Sequence, residues 1–225
     1  MIRAVVLDLD DTLILEKDYV FSGYQVVSEK IANDFNVTQT IVFEKMCLAF
    51  TKRKSKVFNR VLDELNLHYN QSYILELLKL YRGHKPEIHL LDDAKELLSL
   101  LKQKNYKLGI ITDGYKESQQ RKIETLHLGK YVDEIIITDE FGRKYWKPHM
   151  KSFQLMQERL KVPYSEMVYV GDNLKKDFIM PKQLGFTTIC IRRSDGIYFH
   201  NEMDTEAYQP HTYVENLLDV LKVIE

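Results

Sequence analysis

A doubly wound parallel α/β sheet carrying an inserted all-helical segment is the fold this sequence predicts, and three observations predict it. Short apolar runs bounded by turn-forming residues recur at 4–7, 107–112, 134–138, 167–171 and 187–191, the signature of strands buried on both faces. Helical periodicities lie between them at 91–104, 118–126 and 150–160, so crossover helices join successive strands in parallel. Between 16 and 88 that rhythm stops, and the apolar spacing predicts four amphipathic helices near 22–35, 38–50, 56–65 and 71–82. The chain therefore divides into an α/β core, 1–15 with 89–225, and a helical insertion, 16–88.

The first run, Ala4-Val5-Val6-Leu7, ends in Asp8-Leu9-Asp10-Asp11-Thr12. Three carboxylates in four residues at the end of a buried strand require a metal or another strong positive charge. Strand alternation sends Asp8 and Asp10 to the same side, where a divalent cation and a phosphate can both reach them. A bare D-x-D also occurs in sugar-nucleotide transferases, receiver domains and solvated loops, so the residues downstream decide its meaning.

The insertion comes next. Tyr19, Phe21 and Tyr24 read as an apolar helix face or as aromatics for a substrate ring. Lys52-Arg53-Lys54-Ser55-Lys56 reads as a solvated turn or as a site for a second anionic group. Asn59 and Arg60 read as surface residues or as residues facing a site. Gly83-His84-Lys85-Pro86 ends the last helix and forms a hinge back to the core.

In the core, Leu97, Leu98, Leu100 and Leu101 give the 91–104 helix its apolar side. Strand 107–112 then delivers Thr112-Asp113-Gly114: a hydroxyl and helix-starting N–H groups suited to a phosphate, or a threonine N-cap with a tight turn. Tyr145-Trp146-Lys147-Pro148-His149 precedes a helix and reads as surface punctuation or, by its place in the series, as a way to set the Lys147 ammonium among carboxylates. Strand 167–171 runs into Asp172-Asn173-Leu174-Lys175-Lys176-Asp177, where Asp172 can join Asp8 in an oxygen shell for Mg²⁺ and Asp177 can orient water or Lys147, or the pair is an N-cap aspartate with a surface acid. Beyond 187–191, residues 197–213 read as a loop and 214–224 as a terminal amphipathic helix; His200 and His211 lack metal-ligand spacing. Asp8, Thr112 and Asp172 all fall at carboxyl ends of strands, where open parallel sheets bind ligands.

A net charge of −1 argues against nucleic-acid or membrane-surface binding driven by bulk electrostatics. No apolar run reaches 18 residues, and the first is too short for a signal-peptide core, so the expected location is cytoplasmic. Cys47 and Cys190 fit neither a disulfide framework nor a metal motif and are expected to be small core residues.

The ordered series D-x-D-x-T, T-D-G, K-P and G-D-x-x-x-x-D resembles the haloacid dehalogenase-like (HAD) hydrolase superfamily over nearly the whole chain. The resemblance implies a Rossmann-like core and, because the insertion lies between the first and second motifs, a helical cap of the kind found in sugar-phosphate and nucleotide phosphatases. It implies that Asp8 is the nucleophile, Asp10 the general acid/base, Lys147 the charge stabiliser and Thr112 the phosphate-binding hydroxyl, with Asp113 and Gly114 beside it. Asp8, the Asp10 carbonyl and Asp172 would hold Mg²⁺, with Asp177 and Asn173 behind them. The superfamily's dehalogenases lack the second acid of the first motif, so Asp10 favours phosphoryl chemistry. Met180-Pro181 and Asp113 depart mildly from the usual pattern without removing a reactive group. The expected partner is a small phosphorylated metabolite, with neither nucleic acid nor membrane, for a monomer or homodimer. A phosphotransferase or phosphomutase on the same scaffold is the alternative within the fold, and a receiver-like signalling or binding module the alternative outside it.

Overall fold

The computed structural model describes residues 1–197, 199, 203 and 205–225; His200 lies outside the described residues. Two compact units make up the chain, Met1–Lys17 with Ile88–Glu225, and Asp18–Glu87.

The first unit is built on six parallel strands: β1 (Ala4–Leu7), β2 (Lys107–Thr112), β3 (Glu134–Ile137), β4 (Met167–Gly171), β5 (Thr187–Ile191) and β6 (Thr212–Val214), in the order β3-β2-β1-β4-β5-β6. The order reverses at β1, whose Leu7 pairs in register with Ile110 of β2 and Val170 of β4. Asp8, one residue beyond those pairs, and Thr112 and Asp172, two residues beyond, therefore emerge at the carboxyl ends of adjacent strands at the switch point. Helices α5 (Asp92–Gln103), α6 (Lys116–Thr125), α7 (Lys151–Leu160) and α8 (Ile179–Leu184) return the chain between strands, and α9 (Val220–Ile224) ends it. Phe153 and Met156 of α7 pack with Val6, Ile111, Ile136 and Tyr169 in one sealed face of the sheet. Gly109 serves that packing, since a Cβ there would come 2.5 Å from the Met156 sulfur.

β6 replaces part of the loop expected at 197–213, and the expected terminal helix shortens to α9 after a 3-10 turn at Leu217–Asp219. Both follow from long-range pairing: β6 is three residues of edge strand held by its ladder to β5.

The second unit contains most of α1 (Glu16–Phe35), with α2 (Gln39–Lys52), α3 (Val57–Glu64) and α4 (Gln71–Gly83). Val27, Ile31, Val42, Met46, Val61, Leu62 and Leu77 form its core. Tyr24 belongs to that core and meets Phe50, Phe58 and Tyr81 ring to ring, while Tyr19 stacks near Tyr81 and His84. The apolar-face reading of these aromatics is the one their burial supports. Arg60 donates to the carbonyls of Ala49 and Arg53 at the end of α2, and Asn59 donates to the Tyr69 hydroxyl. α1 starts at Glu16, ahead of the expected 22, because Asp11 Oδ1 accepts the Glu16 N–H at 2.9 Å.

One partly buried ion pair fastens the sheet's first motif to the C-terminal segment. The Arg193 guanidinium grips both oxygens of Asp93 at 2.8 and 3.0 Å and donates to the Thr12 carbonyl at 2.8 Å, while Asp93 also accepts the Leu217 N–H at 2.9 Å. Burial disfavours the Asp93 carboxylate, yet Arg193 and the Leu217 and Ala94 amides hold its carboxyl below the ordinary value. Asp93→Ala is expected to cost about 2–4 kcal/mol in urea unfolding at pH 7, because it strands the guanidinium. A depressed folded pKa stabilises above the unfolded value, so wild type and variant should converge as pH falls below about 4. A difference that persists unchanged at pH 3 contradicts this account.

Candidate active site

Backbone geometry brings the motifs together before any side chain is considered. The Asp8 N–H donates to the Val170 carbonyl at 2.8 Å, extending the β1–β4 ladder one residue into the first motif. Gly171 ends β4 where Asp177 turns back beneath it; a Cβ at 171 would lie 2.7 Å from an Asp177 oxygen. Asp177 in turn accepts the Asn173 N–H at 2.9 Å, which closes the fourth motif into a tight loop. Asn173 itself accepts the Lys175 N–H at 3.1 Å.

Lys147 is the hub. Its ammonium is fully buried and lies 2.9 Å from Asp8 Oδ1, 2.8 Å from Asp177 Oδ1 and 2.9 Å from the Tyr169 hydroxyl, to which it donates. Asp113 sets its backbone: Oδ1 accepts the Lys147 N–H at 3.0 Å and the Thr138 hydroxyl at 2.7 Å. Burial works against the Lys147 ammonium, but Asp177, Asp8 and Asp113 outweigh it and hold its pKa above that of an ordinary lysine. Burial also raises the Asp8 carboxyl, to about 6, with Lys147 opposing the rise and Asp177 adding to it. Asp177 escapes this fate because Lys147 and Lys176 overcome its burial and keep its carboxyl below the usual range.

Asp172 is the carboxylate left over. It is 9% exposed, and among the described residues no lysine or arginine pairs with it. Burial first, then repulsion from Asp177 and Asp8, pushes its carboxyl well above the ordinary value. Asp8, Asp172 and Asp177 each offer an oxygen within 4.8 Å of the other two. An all-oxygen, carboxylate-rich cluster with one member outside any ion pair among the described residues fits a hard divalent cation.

Asp10 stands on the other side of the pocket. Its Oδ1 pairs with Lys122 at 2.6 Å and its Oδ2 accepts from Gln119 at 2.9 Å; Gln119 donates also to the Thr112 hydroxyl. Glu16 lines the same pocket, and burial followed by repulsion from Asp10 raises its carboxyl to about 7 against the attraction of Lys122. Asp8, Asp10, Asp113, Gly114, Lys147, Asp172 and Asn173 all line this one opening; Thr112 and Asp177 lie beneath it. Gly114 takes φ of 137°, a conformation open to glycine, at the turn into α6.

Several lining residues carry no obvious signal in the sequence. Lys176 sits 3.5 Å from Asp113, and Asp8, Asp113 and Asp177 keep its pKa high despite burial and the nearby Lys147. Tyr115, Trp146 and Arg143 edge the opening, with the two rings 6.2 Å apart and the guanidinium 5.2 Å over the indole. Trp146 and Lys176 stand beside recognised motif residues, which is the one hint available. Asp11, without assigned chemistry, proves to be a turn-former at φ 51° whose second oxygen accepts the Ile197 N–H at 2.7 Å. No helix among the described residues is long and apolar enough to cross a membrane.

Two curated relatives match across nearly their full lengths. The glyceraldehyde 3-phosphate phosphatase of Methanocaldococcus jannaschii is 27% identical, covering 99% of this chain and 98% of its own. That of Pyrococcus abyssi is 29% identical, covering 100% and 94%. Among solved structures, a HAD phosphatase from Thermococcus onnurineus superposes with a TM-score of 0.65 at 25% identity, covering 99% of this chain and 98% of that one. Residues 5–191 match the haloacid dehalogenase-like hydrolase family. With that span reaching from β1 through β5 and covering every motif that meets at Lys147, the chain belongs to the haloacid dehalogenase-like hydrolases and is an enzyme of that family.

Proposed function

We propose that this enzyme is a Mg²⁺-dependent phosphomonoesterase that hydrolyses a small phosphorylated metabolite through phosphorylated Asp8. The observation that carries the reading is the pairing of Asp8 with the buried Lys147 ammonium beside Asp172, a buried carboxylate that belongs to no ion pair among the described residues. Asp8 and Asp172, with the Asp10 carbonyl, would hold Mg²⁺, which would supply positive charge that lets phosphate share the pocket with several acids.

In this mechanism an Asp8 oxygen attacks phosphorus while the bond to the leaving oxygen breaks, and Asp10 gives that oxygen its proton. Asp10 then takes a proton from water, whose oxygen attacks phosphorus, releasing phosphate and restoring Asp8. Lys147 stays charged throughout and offsets negative charge at the reacting group. The Thr112 hydroxyl accepts from Gln119, so its own proton is available to donate to a phosphate oxygen; the Asp113 and Gly114 amides at the start of the α6 turn favour the same anion. Substrate choice is assigned to the helical insertion, Asp18–Glu87, as the cap.

Glyceraldehyde 3-phosphate heads the substrates to assay, because the two curated relatives above carry that activity in their names. Purified protein should release phosphate from it, or from another small phosphomonoester, with Mg²⁺ and lose at least about 100-fold in EDTA. Assaying free phosphate and isomer together separates hydrolysis from a mutase. Undiminished turnover in EDTA, or isomer without phosphate, removes the reading.

A further inference from the structure

Asp10 is held from behind by two polar side chains, Gln119 and Lys122, whose hold on its carboxylate the chemistry above does not use. Gln119 and Lys122 are three residues apart on α6 and so project from one face of that helix. Both are buried, at 1% and 3% exposure. Each takes a different oxygen of Asp10: Lys122 Nζ lies 2.6 Å from Oδ1, and Gln119 Nε2 donates to Oδ2 at 2.9 Å. A carboxylate with a donor on each oxygen has its rotation about χ2 arrested, and Asp10 is held in this way while lining the pocket.

Two features argue that this arrangement is built for the carboxylate. A leucine or methionine at 122 would fill the same volume without the desolvation cost of an ammonium, so stability alone does not call for lysine here. Gly114 leaves the space that Gln119 occupies: a Cβ at 114 would lie 2.9 Å from the Gln119 amide. The same amide reaches the Thr112 hydroxyl, so one side chain sets the spacing between that hydroxyl and Asp10.

We propose that Lys122 and Gln119 are positioning residues that orient the Asp10 carboxyl toward the leaving oxygen of the substrate. The inference rests on the reading of Asp10 as the acid that protonates that oxygen. Its consequence is a dependence on the leaving group. An alkoxide departs only when protonated, whereas p-nitrophenolate departs unaided, and kcat/KM reports the steps through that departure. Mispositioned Asp10 therefore impairs alkyl esters and spares the activated aryl ester.

The test measures kcat/KM with Mg²⁺ for p-nitrophenyl phosphate and for whichever of glycerol 3-phosphate, glyceraldehyde 3-phosphate and phosphoglycolate is hydrolysed fastest. Lys122→Met should lower the alkyl value about 100-fold and leave the aryl value within about threefold, and Gln119→Leu should lower the alkyl value about tenfold. Lys122→Arg should restore most of the alkyl activity. In an Asp10→Asn background, Lys122→Met should add no further loss, because the residue through which it acts is gone. Equal loss on both esters, or loss on neither, overturns the inference while leaving the phosphatase reading intact. A wild type inactive on all four esters with Mg²⁺ removes both. Retained aryl activity also certifies that the variant is folded.

Discussion

Asp8→Asn should abolish turnover, with a loss of about 10⁴- to 10⁶-fold in kcat on any phosphomonoester the wild type accepts. The substitution keeps the shape of the side chain and the backbone bond from Asp8 N–H to Val170, so the fold has little reason to change. What disappears is the only oxygen nucleophile at the end of β1 that Lys147 touches directly. Stability supplies an independent reading of the same residue. With a folded carboxyl raised to about 6, Asp8 binds its proton more tightly in the native state than in the unfolded chain. The sign follows: in EDTA its contribution to stability is greatest below about pH 4 and is lost as pH rises through about 6. Asp172 slopes the same way, for the same reasons of burial and repulsion. Asp8→Asn should therefore flatten part of the pH dependence of metal-free stability while leaving the melting temperature near pH 7 equal to or above that of wild type. A variant that keeps even a tenth of wild-type turnover excludes Asp8 as the nucleophile described here, and one that unfolds at neutral pH contradicts the stability account.

The sheet and the motif positions were legible because their causes are local. β2, β4 and β5 occupy the apolar runs at 107–112, 167–171 and 187–191, since strands buried on both faces need continuous apolar sequence. Asp8, Thr112 and Asp172 end three such runs, so their convergence follows once the strands are parallel and in register. Other features depend on partners distant in sequence. β6 is held by pairing with β5, and its middle residue Tyr213 is 44% exposed, so no alternation announces it. Asp11 reads as one more acid in a cluster, yet its oxygens cap Glu16 and Ile197, the second 186 positions away. Gln119 and Lys122 sit in the polar stretch Lys116–Thr125, which resembles a solvated helix; they are buried because Asp10 and Thr112 lie against them. Buried polar side chains of this kind break the hydrophobic pattern, and pattern is what a single sequence exposes.

Lys147→Met carries the largest combined effect on folding and turnover, because one ammonium serves both. In the metal-free protein it is the cation nearest to two of the three clustered carboxylates, 2.9 Å from Asp8 and 2.8 Å from Asp177. Methionine matches its length but leaves those acids facing each other and the Tyr169 hydroxyl without its donor. Removing one partner from a fully buried ionic cluster costs about 3–5 kcal/mol, an expected fall in melting temperature of about 10 °C for a chain of this size. The same loss removes positive charge from the reacting phosphoryl group, so kcat/KM should drop about 10²- to 10³-fold even at saturating Mg²⁺. The two effects should separate on titration with Mg²⁺. A divalent cation held by Asp8 and Asp172 would relieve carboxylate repulsion in either protein, but the variant has more repulsion to relieve and should gain more in melting temperature. It should not recover activity to match, since charge at the metal position cannot reproduce an ammonium held on the Asp177 side of Asp8. If Lys147→Met melts with wild type in EDTA and turns over within about threefold of it, the ammonium is neither the cluster's counter-charge nor a stabiliser of the transition state.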